Sequence, residues 1–518
     1  MAVITHGSSS FSRRRIIFLL IILVAVVVAA FHFSAAELID RRLREWFPSL
    51  SPGLSIGWSS LEIQPFSMGI RFKQIGIHWE NPREPGTSMD FKAETLDVEG
   101  INLAGLLIAG NLSLGEVQVR DWSCVVSGGI GDIFGGGFSG ISPKNITVGK
   151  WMFRAGRFSW SDNQNHDGVE ARLQNLRLET NRPQATPIIL QLTAGPVRFG
   201  FPAAMADVNA EKIEFNKANR CLEVLDLGMV PRWPENEFAI RKGFQTDRIA
   251  FHIEKLKAYW KGENITIPDS VPHRVVLRNP GFEVFRDRRI HRKPGPRKPK
   301  LLPYQLLRKI PFSIHIPEIH IENGEINYAE HQQGAPRPGR LFFSRFSASI
   351  SGFQAGPVKP GSPHPVKMEF SCRFQGQVPF SGTFDMHTGK PEFRFSGKLG
   401  AMELPGLNSL LIPMAFLRIA HGKMDGAQWN LEGNDHHLTG WMKARYQKLR
   451  FTLLKHQKSL QKRGLATFLV NLLIFRNNPE PGEPMRTARI HLERNPLRGF
   501  FNWVWRGLLE GLKRSAGI

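Results

Sequence analysis

The sequence predicts a mainly β protein, an elongated antiparallel sheet of repeated hairpins, and three observations lead there. Apolar residues alternate with polar or small ones along many short runs, such as Ile75, Ile77 and Trp79, or Phe370, Cys372 and Phe374. The 518 residues include 49 Gly and 35 Pro, more than a helical bundle tolerates and suited to many turns. One segment also repeats: Ile146 to Asp162 (ITVGKWMFRAGRFSWSD) aligns without a gap on Ile314 to Glu330 (IHIPEIHIENGEINYAE). At 42% hydrophobic and 22% charged, the chain has material for a sizeable core and is not disordered as a whole.

At the amino-terminus, Ile16 to Phe33 is an eighteen-residue run interrupted only by His32. As a helix it spans ~27 Å, close to the ~30 Å of a hydrocarbon core. Its length favours an uncleaved anchor over a signal peptide, although Ser34-Ala35-Ala36 would pass as a cleavage site. Arg13, Arg14 and Arg15 precede the run and place the amino-terminus in the cytoplasm. Ala36 to Phe47 sets Ile39, Leu43, Trp46 and Phe47 on one helical face, with Pro48 closing it. That helix lies either at the membrane surface or against the first β-domain.

Strand runs follow. Met68, Ile70 and Phe72 precede Ile75, Ile77 and Trp79; Leu112 and Leu114 precede Val117 and Val119. In the repeated segments Gly156 aligns with Gly324, and a looser copy without the glycine starts at Leu112 and runs through Trp122 and Cys124. Each copy reads as strand, Gly-containing turn, strand. Two segments interrupt the pattern. Gly128 to Gly140 is a glycine-rich loop, and Arg286 to Lys300 holds eight Lys or Arg, three Pro and one Asp, as an exposed linker would. Pro405 to Ala420 is helical in spacing, with Pro413 bending or dividing it. At the end, Phe500 to Leu512 sets Phe501, Val504, Trp505, Leu508 and Leu512 on one helical face, fit to cap the sheet or to dock on a membrane or partner.

These features divide the chain into an anchor (1–36), an amino-terminal β-domain (37–285), a basic linker (286–303), a second β-domain (304–463) and a carboxy-terminal segment (464–518).

The carboxy-terminal third carries the most distinctive pattern. It includes Leu407-Asn408, Trp429-Asn430-Leu431-Glu432-Gly433-Asn434, Gly440, Met442, Tyr446, Asn477-Asn478-Pro479, Arg494 and Phe500 to Leu508. Together with Leu61 to Ile77 and the LLxG-like turn within Ile101 to Val119, it resembles the AsmA-like envelope superfamily (AsmA, YhdP and TamB relatives). The resemblance implies an inner-membrane anchor, a curled periplasmic β-groove with an apolar inner surface, and phospholipid transfer or lipid homeostasis of the outer membrane. The partners it implies are the two membranes, phospholipid and envelope proteins. The residues themselves leave the apolar face open to two arrangements, a lipid path or a dry sandwich core. A scaffold for outer-membrane protein assembly that carries no lipid is the alternative function.

Catalytic chemistry has no foothold in the sequence. Gly129, Gly131 and Gly135 lack phosphate-loop spacing, and neither GxSxG nor HExxH occurs. His436 and His437 beside Asp435 are adjacent and point to opposite faces of a strand; so do His315 and His320, five apart. The reading is therefore of a non-enzyme with no catalytic, cofactor or metal residues. The three cysteines, Cys124, Cys221 and Cys372, are too scattered for a disulfide framework. The charge of +23, from 68 Lys and Arg against 45 Asp and Glu, brings the Arg286 to Lys300 run under suspicion as a nucleic-acid patch. Its prolines and its lack of interleaved aromatics point instead to a linker or to anionic lipid headgroups, with no nucleic acid.

Overall fold

The computed structural model describes residues 36–45 (without 38), 53–64, 67–81, 86–101, 112–127, 146–161, 168–180, 189–201, 205–262, 271–310 (without 297), 313–357, 365–387, 390–454 and 476–515. The expected anchor over Ile16 to Phe33, the Gly128 to Gly140 loop and the LLxG-like turn lie outside these residues. Among the described residues no helix is long and apolar enough to cross a membrane. The chain divides into two compact units, Met1–Phe199 and Gly200–Ile518. The expected linker at 286–303 falls inside the second, because the strands on either side of it pair with each other.

In the first unit, residues 39–45 are helical. Leu43 packs on the apolar core, and Asp40 accepts hydrogen bonds from the Trp58 indole and from Arg44 Nε (2.8 Å). The helix thus rests on the β-domain, the second of the two arrangements expected for it. Strands β1 (Leu54–Gly57) and β2 (Ser60–Gln64) both pair with β3 (Gly69–Glu80). The sheet continues through β4 (Ser88–Glu99), β5 (Leu112–Ser127), β6 (Ile146–Ser161), β7 (Gly168–Thr180) and β8 (Ile189–Ala194). The division between units falls within β9 (Val197–Phe201).

In the second unit, β10 (Ala206–Ala210) and β11 (Lys212–Asn216) both pair with β12 (Cys221–Pro231). After helix α1 (Glu235–Lys242) come β13 (Asp247–Tyr259) and β14 (Arg274–Asp287). The short helix α2 (Pro303–Arg308) leads into β15 (Ile314–His331) and β16 (Gly339–Ala355). Then follow β17 (Val366–Phe374), β18 (Val378–Met386), β19 (Phe393–Leu399) and the short β20 (Met402–Glu403). Helix α3 (Asn408–Ala415), containing Pro413, precedes β21 (Leu417–Gly433), β22 (His437–Leu453), β23 (Thr487–Glu493) and helix α4 (Phe500–Ser515). The expected break at 463/464 is bridged: β22 pairs with β23 and α4 packs on the same core.

Two corrections follow. The pairing is mixed, not purely antiparallel, because β5–β6 and β14–β15 run parallel. A parallel neighbour needs a crossover of about a dozen residues or more. The glycine-rich and basic segments that interrupt the strand pattern sit in those two crossovers. The second correction concerns the repeat. Each copy is one continuous strand, 16 residues in β6 and 18 in β15, where a hairpin was expected. At its middle stands a residue in the left-handed region, Ala155 (φ 49°) or Asn323 (φ 55°), just before Gly156 or Gly324.

That left-handed residue is part of a seam. Gln74 in β3 (φ 47°), Asp121 in β5 (φ 48°) and Ala155 in β6 occupy the same level of the first unit. Pairing lapses there for one residue and resumes in the same register, Lys73 with Thr95 and then Ile75 with Ala93. The extra residue reverses the alternation, so apolar side chains return to one face on both sides of the seam: Phe72 then Ile75, Val119 then Trp122. The second unit repeats the device in Asp226 of β12 (φ 49°), Asn279 of β14 (φ 47°) and Asn323 of β15. Strands β3–β7 and β12–β16 therefore share one pattern of pairing: antiparallel, antiparallel, parallel, antiparallel. The loose copy at Leu112 fits the same scheme, since Leu112, Val117 and Trp122 lie beside Ile146, Trp151 and Gly156 in the parallel ladder.

Candidate functional site

The surface best formed for binding is an apolar face in the second unit. On β16 to β19 and β21, side chains that alternate toward one face are mostly Phe: Phe343, Phe346, Phe370, Phe374, Phe380 and Phe395. Their rings meet edge to face, stacked or tilted across the strands. Centroids are 5.6 Å apart for Phe343–Phe374, 5.1 Å for Phe370–Phe380, 6.4 Å for Phe370–Phe395 and 5.8 Å for Phe395–Trp429. Glycines keep this surface smooth. Gly382 lies opposite Phe370, and Gly397 opposite Trp429, where a Cβ would fall inside the indole.

These six Phe rings are only half-buried. At the α4 side the face is closed: Phe500 packs on Phe384 and Phe393 (5.7 and 5.0 Å), and Trp503, 2% exposed, packs on Phe393 (5.7 Å). The helix thus caps a sheet face: of the side read in the sequence Val504, Leu508 and Leu512 pack on the core, while Trp503 and the glycines lie innermost. Gly507 lies against Leu438 and Gly511 against Met442 and Ile490, while Phe501 and Trp505 point out. The buried Trp429 contributes a further feature, an indole N–H with no hydrogen-bond partner among the described residues.

The first unit carries a related face, in which Trp58, Phe72, Ile75, Val117, Val119 and Trp122 are buried together and Phe91 stacks on Trp122 (6.2 Å). A cavity of about 1140 Å³ lies along its seam, lined among others by Lys92, Glu94, Asp121, Trp122, Arg154 and Arg157. Its charges are mixed in sign and exposed, so it has no evident selectivity.

The residues singled out in the sequence have definite places. Asn408 ties helix α3 to β21, accepting from Ile419 N (2.7 Å) and donating to Ile419 O (2.8 Å). Asn478, fully buried, donates to Ala444 O (2.6 Å) and accepts from Arg486 N (3.0 Å). Both are structural ties of the motif region. Asp435 accepts from the Tyr304 hydroxyl, and Asn434 accepts from the His436 and His437 amides (2.8 and 3.0 Å), a turn stabilised by its own side chain. No group of His, Cys, Asp and Glu among the described residues is arranged to hold a metal.

Residues 291–300 of the basic segment (without 297) are exposed, as expected of a linker, but three arginines at its start are partnered. Arg286 pairs with Asp247 (2.5 Å), Arg288 with Glu330 (2.7 Å) and Arg289 with Asp287 (2.7 Å). Backbone bonds from Gln245 N to His291 O and from Lys300 N to Pro496 O (both 2.7 Å) fix its course. Among the thiols, burial pushes Cys372 up to about 12 and Cys124 up to about 11, so both are protonated and poor nucleophiles near neutrality.

The ring strip itself was not recognised in the sequence as a site. Its signal was present in the 37 Phe against 4 Tyr, a composition that supplies apolar rings without hydroxyls. No family model matches the chain, and no curated protein matches it either.

Proposed function

We propose that this chain handles membrane lipid. In this reading it is an AsmA-like protein held in the inner membrane by residues 16–33, with the β units in the periplasm and the ring strip of the second unit serving as a path for acyl chains. The carrying observation is that six Phe rings in contact across the strands stay partly exposed, none of them fully buried. A sandwich core would cover such rings with a second layer. An acyl chain laid along them leaves water at about 0.8 kcal/mol per buried CH₂. The carboxy-terminal motif residues quoted for the AsmA-like resemblance lie in the same unit and add support.

The test is Phe370→Asp in the full chain, comparing phospholipid retained per chain with the unaltered protein. Retained lipid is expected to fall severalfold while the β-type circular dichroism is unchanged, because a charge at this partly exposed position reaches water. Loss of the β signal instead would mean a dry core, where an unpaired buried charge costs several kcal/mol. Unchanged lipid with unchanged fold would favour the scaffold reading.

A further inference from the structure

Strands β21, β22 and β23 carry a second surface, on the side away from the ring strip. Along β22, Met442, Ala444 and Tyr446 are buried while Trp441, Lys443 and Arg445 are exposed, as the two faces of a strand require. Past the left-handed Lys448 the exposed face continues with Arg450. On β23, the exposed Arg489 stands opposite Trp441. On β21, Arg418 and Lys423 are exposed as well, Lys423 opposite Gln447. These cations cover three adjacent strands, about 10 Å across the sheet and about 30 Å along β22.

Among the described residues none of Arg418, Lys423, Lys443, Arg445, Arg450 and Arg489 forms an ion pair. The acids nearby are engaged or peripheral. Glu432 pairs with Arg394 (2.8 Å), Asp425 accepts from Gln447 (3.1 Å), Glu493 stands opposite His437, and Glu403 of β20 stands opposite Lys423. From Trp441 to Pro479 the sequence has neither Asp nor Glu. Cations set this close repel one another, and an anionic surface laid over them relieves the repulsion. Their layout selects the surface. They spread over an area, as the headgroups of a bilayer do, whereas a single nucleic-acid strand offers phosphates along a line and stacks its bases on several rings. The described part of this face has one such ring, Trp441, 37% exposed, with Lys443 Nζ 5.9 Å from its centroid. An indole among cations suits the headgroup layer of an anionic membrane.

We propose that the exposed face of β21–β23 docks on an anionic lipid bilayer, its cations meeting the headgroups and Trp441 entering the interfacial layer. The inference is independent of lipid carriage, since the ring strip lies on the other face and a dry strip would leave docking intact. The test uses the full chain carrying an environment-sensitive fluorescent amino acid in place of Trp441, and separately in place of Ser349. Ser349 is exposed on the same face and in the same cross-strand row, but five strands away on β16, where the sheet's twist turns it aside. Because the probe is local, binding of the amino-terminal run to the same vesicles does not obscure it. With vesicles containing phosphatidylglycerol, the probe at 441 is expected to shift to the blue and brighten severalfold, and the probe at 349 to change little. Added salt, or pure phosphatidylcholine in place of the anionic lipid, should remove most of the response. So should Lys443→Glu with Arg445→Glu, two exposed positions without ion pairs, at unchanged circular dichroism. No response at 441 while the chain is on the vesicles overturns the proposal, and so does an equal response at 441 and 349. A response at 441 to DNA or to polyglutamate but not to the anionic vesicles overturns it in favour of a different polyanion.

Discussion

At Gly156 a single hydrogen decides whether the centre of the first unit closes. The Trp122 indole lies across that position from the neighbouring parallel strand, and Trp122 is itself stacked on Phe91 (6.2 Å) and set edge-on to Phe153 (5.6 Å). A methyl group there would need the space the ring occupies. Gly156→Ala is therefore expected to destabilise the first unit by about 2–3 kcal/mol, an overpacking cost in a core with no room to yield. Gly76, in β3 of the same unit, faces open space, with nothing within 4 Å of a built Cβ. Gly76→Ala is expected to stay within about 0.5 kcal/mol of the parent. Urea denaturation of both variants checks this, and equal midpoints would contradict the packing described. In the sequence Gly156 reads as a turn residue; its actual role depends on which strand lies beside it, which the sequence does not state.

The long strand crossed by the seam is where the sequence was most informative and most easily misread. Ile70 and Phe72 alternate in one phase and Ile75 and Ile77 in the other, with the same reversal between Val117, Val119 and Trp122, Cys124. A change of phase has two physical meanings: a turn that starts a new strand, or one inserted residue that continues the old one. Lys73-Gln74 and Arg120-Asp121 contain neither Gly nor Pro, and in those strands the inserted residue is what the structure contains. The repeat itself was legible, and so was the existence of the strands. The two parallel pairings were not, because strand direction depends on the crossovers and leaves no mark on alternation. The ring strip was hidden for a related reason, since its residues come from five strands. The seam has a measurable energetic consequence. Ala155 adopts φ 49° without a side-chain amide or carboxylate to offset the strain of about 1–2 kcal/mol that a Cβ suffers there. Ala155→Gly should therefore raise the unfolding midpoint of the first unit, by up to about 1 kcal/mol after the added backbone entropy of the unfolded chain. Ala155→Val, β-branched at the same angle, should lower it. A lower midpoint for the glycine variant would argue against a left-handed residue at the seam.

On the scale of the whole molecule, both units present an apolar face built by the same alternation and differ in how it is covered. In the first unit seven core residues from Trp58 to Trp122 are buried together, with Leu43 and partly buried rings such as Phe91 and Phe153 packed against them. In the second, α4 covers the region of Phe393 while the rings from Phe343 to Phe395 stay partly exposed. The central claim is that lipid lies on those exposed rings. Site-specific photocrosslinking in the full chain, expressed in cells, tests it most directly. Benzoylphenylalanine in place of Phe370 or Phe395 reports on the ring face; in place of Glu369 or Arg394, exposed neighbours along the same strands, it reports on the opposite face. Mass spectrometry is expected to find phospholipid adducts at positions 370 and 395 and few at 369 and 394. Absence of lipid adducts at 370 and 395, or equal yields from the two faces, would contradict the claim.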